Sequence, residues 1–450
     1  AHSLLRGTAN LAVIFGFPSA RPRPPKHFVS KYKFMPELKS PSQSAGRIAF
    51  TYPNFIYYQS SRMLVVMAQE MQSVAVGWQV YEITKRPLDL GLVGLAQFLP
   101  GIFLFLVSGH AADRFDRRKL LTICYGGLAV CSGLLLRVSL VGAHSIYSIY
   151  LVIVLLGVVR AFQGPPSRAL LPQLVPEEHF PSAVAWGATF FQGATIVGPA
   201  VGGLIYALFR GPSAVYATSM ILAIAALLLT LPIKPQITTR PREPVSLRSV
   251  LAGLRYTWRQ KLVLGSISLD LFAVLLGGAV ALLPVYAREI LKTGPWGLGL
   301  LRSAPGIGAG TMAILLAYRP LRRRPGATML WCVAGFGVFT IVFGISRSLI
   351  LSMAALVLVG ATDMVSVVVR ATLVQLATPD AMRGRVNAVD MVFIGASNQL
   401  GQFESGLTAQ WFGTVPAVLL GGLGAIVVTA IWAWRFPELR NADSLTNLNP

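Results

Sequence analysis

From about residue 55 to residue 436 the chain passes through one apolar stretch after another, separated by short polar breaks. Crossing a hydrocarbon layer of about 30 Å takes roughly 20 helical residues, and each stretch is long enough. Inside a bilayer every backbone N–H and C=O must find its partner within the protein, so serial apolar stretches of this length are read as helices. The chain is therefore expected to be all-α and polytopic.

Composition agrees with that reading. Charged residues make up 12% of the chain and hydrophobic ones 54%, where a soluble protein would carry roughly a quarter charged residues. The net charge of +22 raises nucleic-acid binding, which needs a basic patch or stripe on one face. Here the cations are spread between the apolar stretches, so membrane topology accounts for them and no nucleic-acid partner is expected. Cys124, Cys131 and Cys332 all fall inside apolar stretches and match neither a disulfide framework nor a zinc spacing. The five histidines are scattered. No metal and no cofactor are expected.

Twelve spans are expected, at 55–83, 88–111, 119–141, 146–171, 181–208, 213–233, 260–287, 294–318, 326–345, 348–376, 386–412 and 415–436. Loops after even-numbered spans hold seventeen Lys or Arg, including Arg114, Arg117, Arg118, Arg240, Arg242, Arg322, Arg323, Arg383 and Arg385. The opposite loops hold six: Lys85, Arg86, Arg210, Arg288, Lys292 and Arg347. By the positive-inside bias the even loops and both termini are expected in the cytoplasm, with the chain in the inner (plasma) membrane.

The two halves also resemble each other. GLAQFLPGI (94–102) lines up with GLLRSAPGI (299–307), and VYEITKRP (80–87) with VYAREILK (285–292), both at an offset of 205. SRALLPQLVPEE (167–178) resembles VRATLVQLATPD (369–380) at an offset near 202. The expected organisation is a basic arm without a fold at 1–54, a six-helix unit at 55–233, a cytoplasmic linker at 234–259, a second six-helix unit at 260–436, and a tail at 437–450. Residues 1–50 read as a lipid-attracted arm, a targeting segment or the product of a misplaced start. Parallel six-span repeats place a substrate site between the two units, near mid-depth.

On these residues the chain resembles the major facilitator superfamily over about 55–440. GHAADRFDRRK (109–119) is similar to its signature loop between spans 2 and 3, although Ala111 and Asp116 depart from the pattern. RAFQG (160–164) resembles its span-4 element. GATIVGPAVGG (193–203) resembles the span-5 element associated with antiporters, with Ala194 in place of a further glycine. VYEIT, RALLPQLVP, TPDAMRGRVNAV and GASNQLGQFESG look most like the bacterial drug and siderophore exporter branch. The resemblance implies a monomeric carrier of a small molecule, working by alternating access and exchanging substrate for protons. It also implies that spans 1, 4, 7 and 10 line a central cavity.

A charged side chain at bilayer centre costs about 2.5–3.5 kcal/mol on insertion scales, so each one there suggests a function. The deep charges are Glu70 in span 1, Arg160 in span 4, Asp270 in span 7, Asp363 in span 10 and Glu404 in span 11, with Gln72 flanking Glu70. Glu70, Asp270 and Arg160 are the expected coupling residues. The plainer alternative is a set of packing ion pairs, such as Asp363 with Arg370, or hydrogen bonding of Glu404 across a 5–11 contact. In span 5, Gly198, Pro199, Gly202 and Gly203 are expected to let helices approach closely. Pro100 and Pro305 are expected to bend spans 2 and 8 at matched places.

The signature loop has two components. Its cations, Arg114, Arg117 and Arg118 after Gly109, serve topology, whereas Asp113 and Asp116 have no counterpart in YRPLRRR of the second half. The resemblance implies a latch in which Asp113 faces the span-11 N-terminus near Arg383, Gly384 and Arg385, where a helix dipole favours negative charge.

Export of a small amphipathic compound, a drug or a siderophore, is thus the leading expectation. An importer or uncoupled facilitator on the same fold is the alternative. No Walker-type Gly-rich loop, nucleophile elbow or HExxH helix is present, which argues against ATP-driven pumping and enzymatic chemistry. A receptor or scaffold would need a soluble domain, and the longest internal polar segment is only about 26 residues.

Overall fold

The computed structural model describes residues 45–142, 145–234, 247–319, 321 and 324–442. The expectations for the arm before residue 45, for Arg240, Arg242, Arg322 and Arg323, and for the tail after residue 442 lie outside the described residues.

The first half consists of α1 (Pro53–Thr84), α2 (Pro87–Arg114), α3 (Arg117–Leu140), α4 (Ile146–Leu170), α5 (Phe180–Leu208) and α6 (Ser213–Thr230). A short amphipathic helix, α7 (Leu247–Arg259), precedes the second half. There α8 (Lys261–Leu276) leads through a 3₁₀ turn at Ala279–Leu282 and α9 (Leu283–Val285) into a π turn at Tyr286–Ile290. Then come α10 (Gly294–Tyr318), α11 (Pro325–Ile345), α12 (Leu349–Leu376), α13 (Asp380–Phe412), α14 (Thr414–Arg435) and the single turn α15 (Pro437–Arg440). Helix occupies each of the expected spans, with a break inside the seventh, and no strand occurs among the described residues.

Ten segments are long and apolar enough to cross a membrane. The other two, α1 and α13, are as long but richer in Gln, Asn and charge. Their polarity has a use, since both contribute side chains to the internal cavities described below. Large apolar side chains such as Phe103, Tyr147, Trp331, Ile350 and Trp434 stand exposed on the outside of the bundle. Lipid tails are their natural surroundings, so no aqueous penalty attaches to them.

Local chemistry sets the helix ends. Proline opens α1, α2 and α11 at the first helical position, where its missing N–H costs nothing. Asp116 caps α3, accepting from the backbone N–H groups of Arg118 (2.9 Å) and Lys119 (3.3 Å). That capping accounts for one of the two acids in the signature loop.

The seventh span differs from expectation. It was read as one helix over 260–287, but α8 ends at Leu276 and Gly277–Gly278 leave the helical path. A Cβ on Gly278 would sit 2.6 Å from the carbonyl carbon of Gly401, and one on Gly277 would sit 2.9 Å from the Ala273 carbonyl oxygen. Only glycine fits at Gly278, where this broken segment presses against α13, and Gly277 faces the Phe336 ring of α11. In contrast, α2 and α10 remain helical through Pro100 and Pro305. At each of these prolines the neighbouring helix offers a glycine. Gly157 of α4 packs on Gln97 and Pro100, and Gly360 of α12 packs on Pro305. The repeat seen in the sequence is therefore repeated as packing.

Within the first half α1 packs on α5 and α6, α2 on α4, and α3 on α4 and α6. In the second half α12 packs on α10 and α11, α14 on α8 and α11, and α13 on α8. The halves meet chiefly along two crossings, α5 with α10 and α2 with α13. At the first crossing a Cβ on Gly203 would lie 2.5 Å from the Pro295 carbonyl, and one on Gly299 would lie 2.5 Å from the Pro199 carbonyl. Gly202 and Gly198 bring the same helix against Met71 and Glu70 of α1. Small residues here permit backbone contact, which drives helix association where water-driven burial is absent.

Candidate transport cavity

Between the halves lies a cavity of about 200 Å³. Polar groups from both halves converge on it: Glu70, Gln97 and Arg160 from the first, and Arg302, Gln399 and Gln402 from the second. Arg160 Nη1 donates to Gln97 Oε1 at 2.7 Å, and Arg302 Nη1 donates to the Ser73 carbonyl at 3.2 Å. Gln69 donates to Gln163 at 2.9 Å beside them. Neither arginine has a carboxylate within 4 Å among the described residues, and Glu70 has no hydrogen bond or ion pair there. The Arg160 Nε is buried without a partner.

A second cavity of about 240 Å³ adjoins the first, sharing Val280 of the broken segment and Gln402 of α13. Its wall contains Asp270, Asp363 and Arg370. Arg370 is 3% exposed and its Nη1 lies 2.9 Å from Asp270 and 3.1 Å from Asp390. The ion pair considered from sequence, Asp363 with Arg370, is not the one formed. Asp363 makes no hydrogen bond or ion pair among the described residues. One buried guanidinium thus has three carboxylates in its neighbourhood, so the group carries an excess of negative charge.

The other sequence candidates lie elsewhere. Glu404 accepts from Thr408 of its own helix at 2.7 Å rather than across to α5. Gln72 is 2% exposed, and neither of its side-chain polar atoms has a partner.

The cavity is sealed at the end that carries Lys85 and Arg86. There Arg288 pairs with Glu82 at 3.3 Å and lies over the Trp78 ring at 5.4 Å. Tyr81 donates to Glu289, and Tyr206 donates to Glu82 at 3.2 Å. Gly91 and Gly406 bring α2 and α13 into backbone contact at the same end. Toward the middle, Ser303 donates to the Ile196 carbonyl at 2.6 Å and Gln192 to the Gly306 carbonyl at 2.7 Å. At the basic end a Cβ on Gly109 or Gly384 would meet nothing within 4 Å, although Arg168 still reaches Met391.

Among the described residues no hydrogen bond or ion pair joins the residues of the expected latch. Asp113 and Arg114 are exposed, and Asp113 has no partner among the described residues. Arg117 instead donates to the Ala169 carbonyl at 3.1 Å and Arg118 to the Leu231 carbonyl, each near a helix C-terminus of its own half. Cations satisfy terminal carbonyls well in such places. Arg383 pairs with Asp380 and donates to the Gln375 carbonyl at 3.0 Å. Arg385 backs onto Gly253 of α7.

The family of transmembrane secretion effectors matches residues 55–449. The chain belongs to that family, within the major facilitator superfamily. It is 29% identical over 383 residues to the enterobactin exporter EntS of Shigella boydii serotype 4, covering 84% of this chain and 86% of that one. The same figures hold for EntS of Escherichia coli O1:K1. Among solved structures it is similar to the nucleoside transporter NupG, with a TM-score of 0.64 and 15% identity over 85% of this chain and 99% of that one. It is also similar to a bacterial homologue of the lysosomal transporter Spinster in an inward-facing, occupied conformation. That match has a TM-score of 0.66 at 13% identity, over 86% and 98% of the two chains. These structures share its fold. The protein is a multi-pass inner-membrane transporter with homology to exporters, and its family consists of transporters rather than enzymes.

Three features of the site were missed from sequence. Arg302 sits in the repeat motif GLLRSAPGI at the place Gln97 holds in GLAQFLPGI, so the signal was available. The break in span 7 was marked by Gly277–Gly278, a pair that often punctuates helices. The Glu82–Arg288 seal joins residues 206 positions apart, and no local pattern announces it.

Proposed function

We propose that this protein exports a small amphipathic compound, of the drug or siderophore kind, by alternating access driven by proton entry. The observation that carries the reading is the polar cavity between two repeated halves, sealed by Glu82–Arg288 at one end, with Gly109 and Gly384 facing open space at the other. With the basic loops in the cytoplasm, this is an inward-facing state ready to load. The sequence likeness to enterobactin exporters favours export over import.

Substrate and proton take separate places in this scheme. Glu70 and Arg160 stand in the substrate cavity beside Arg302. Asp270, with Asp363 and Asp390 around Arg370, carries the proton in the adjoining cavity. Proton uptake from outside, after substrate release, neutralises that cluster and lets the empty carrier return. Loss of the proton to the cytoplasm resets it. On return to the outward state the basic ends close, and Asp113 then meets the N-terminus of α13 near Gly384.

The test is export by cells lacking their own pumps, screened over dyes, antibiotics and catecholate siderophores, with and without a protonophore. Export that stops when the proton gradient collapses supports the scheme. Export of equal rate in gradient-free vesicles indicates an uncoupled facilitator, and accumulation inside the cells indicates an importer.

A further inference from the structure

We infer that the cavity selects an organic anion, binding one carboxylate- or sulfonate-sized group between Arg160 of the first half and Arg302 of the second. The inference rests on the reading of this cavity as the substrate site and specifies the substrate's charge. Two guanidiniums and one carboxylate line the space, which leaves it with a net positive charge. An isolated positive charge at this depth is costly to hold, and a bound anion removes that cost.

The hydrogen bonds point the same way. A guanidinium has five N–H donors in a planar fork suited to carboxylate-like groups. Among the described residues each arginine makes one hydrogen bond, from Arg160 to Gln97 and from Arg302 to the Ser73 carbonyl. Both bonds orient the side chain without neutralising it. The buried Arg160 Nε remains without a partner. Neutral donors come from the carboxamides of Gln399 and Gln402, and the apolar wall includes Val93, Val280 and Pro284. A ligand that fits has one charged group and a compact apolar body, about the size of one substituted ring in a space of about 200 Å³.

Glu70 sets the strength of the clamp. It lines the same cavity without an ion pair to either arginine, with its Cβ where a side chain on Gly198 would stand, 2.7 Å away. Its charge offsets one guanidinium and keeps the anion from binding too tightly to leave. Cationic compounds meet the two arginines and are turned away. The halves also acquire a reason to close together, because the anion bridges an arginine from each.

The test uses the full chain in lipid nanodiscs, titrated calorimetrically with three probes of one shape: salicylate, neutral salicylamide and cationic benzylamine. Salicylate is expected to bind, with salicylamide weaker by about tenfold or more, as for loss of one charge-assisted hydrogen bond. Arg160→Gln and Arg302→Gln are each expected to weaken salicylate by a similar factor and salicylamide by less, so that the preference for the anion narrows. Glu70→Gln is expected to tighten salicylate, a gain that misfolding cannot produce. Ser73→Phe, which fills the cavity, is expected to abolish all binding. If salicylamide or benzylamine binds as well as salicylate and Ser73→Phe removes it, the cavity is the substrate site and the anion inference is overturned. If no probe shows binding that Ser73→Phe removes, the cavity reading falls and takes the inference with it.

Discussion

Arg288, in the π turn of the seventh span, lies 3.3 Å from Glu82 at the end of the first span and so closes one end of the cavity across the two halves. Both residues come from the matched motifs VYEITKRP and VYAREILK. The repeat therefore supplies the seal as well as the architecture. The pair is partly exposed, at 27% and 47%, so it contributes only about 0.2–1 kcal/mol. Such a bond can hold a gate yet still open in every cycle.

Arg288→Gln is accordingly expected to loosen the seal without unfolding the protein. A cysteine placed at Ser73, in the cavity wall, should react up to several-fold faster with an impermeant maleimide supplied from the Lys85 side. Equal labelling rates in the two backgrounds would show that the helix crossings close that end without the ion pair.

The span-5 glycines separate into two classes. Gly203→Val pushes a side chain against the backbone of α10 at Pro295, whereas a Cβ on Gly193 meets nothing within 4 Å. Gly203→Val should lower the yield of folded protein and abolish transport. Gly193→Ala should leave both unchanged, as read by fluorescence-detected size exclusion and export assays.

Asp113, in the last turn of α2, and Asp116, the N-cap of α3, lie three residues apart and should respond differently. Asp116→Ala removes the cap of α3 and is expected to cost about 1 kcal/mol of stability, measured as a lower midpoint of thermal unfolding. Asp113→Asn removes no bond among the described residues, so stability should hold, while the proposed latch predicts that transport falls. Normal transport by a stably inserted Asp113→Asn would reduce the loop to a topological anchor.

At the buried cluster, Arg370→Leu leaves Asp270 and Asp390 without their cation, a change that costs about 3–5 kcal/mol. Asp270→Asn keeps the Asp390 pair and should fold. In proteoliposomes it is expected to lose proton movement linked to export while retaining substrate binding. Retained proton movement would remove Asp270 from the proposed coupling.

Helix positions, the tandem repeat and the basic loops were legible because each is local or periodic. A span is a run of apolar residues, a repeat is a constant offset, and positive loops record how helices enter a membrane. Glu70, Arg160, Asp270 and Asp363 stand out in the sequence for the same reason, as charges in apolar runs, and each lines a cavity. Their partners were not legible. Asp363 was matched with Arg370, seven positions along one helix, yet Arg370 turns to Asp270 on α8 and Asp390 on α13.

The sequence by itself determined that the chain is a membrane protein built twice, with ionisable groups held at depth. Hydrophobic length and periodicity suffice for that, because a bilayer admits few backbone solutions. Only the tertiary structure decided which of those groups share a cavity. It placed Arg302 across from Arg160 and tied Asp270 to Arg370. These relations depend on how glycine-lined helices cross between the halves, and crossings join residues far apart in the chain.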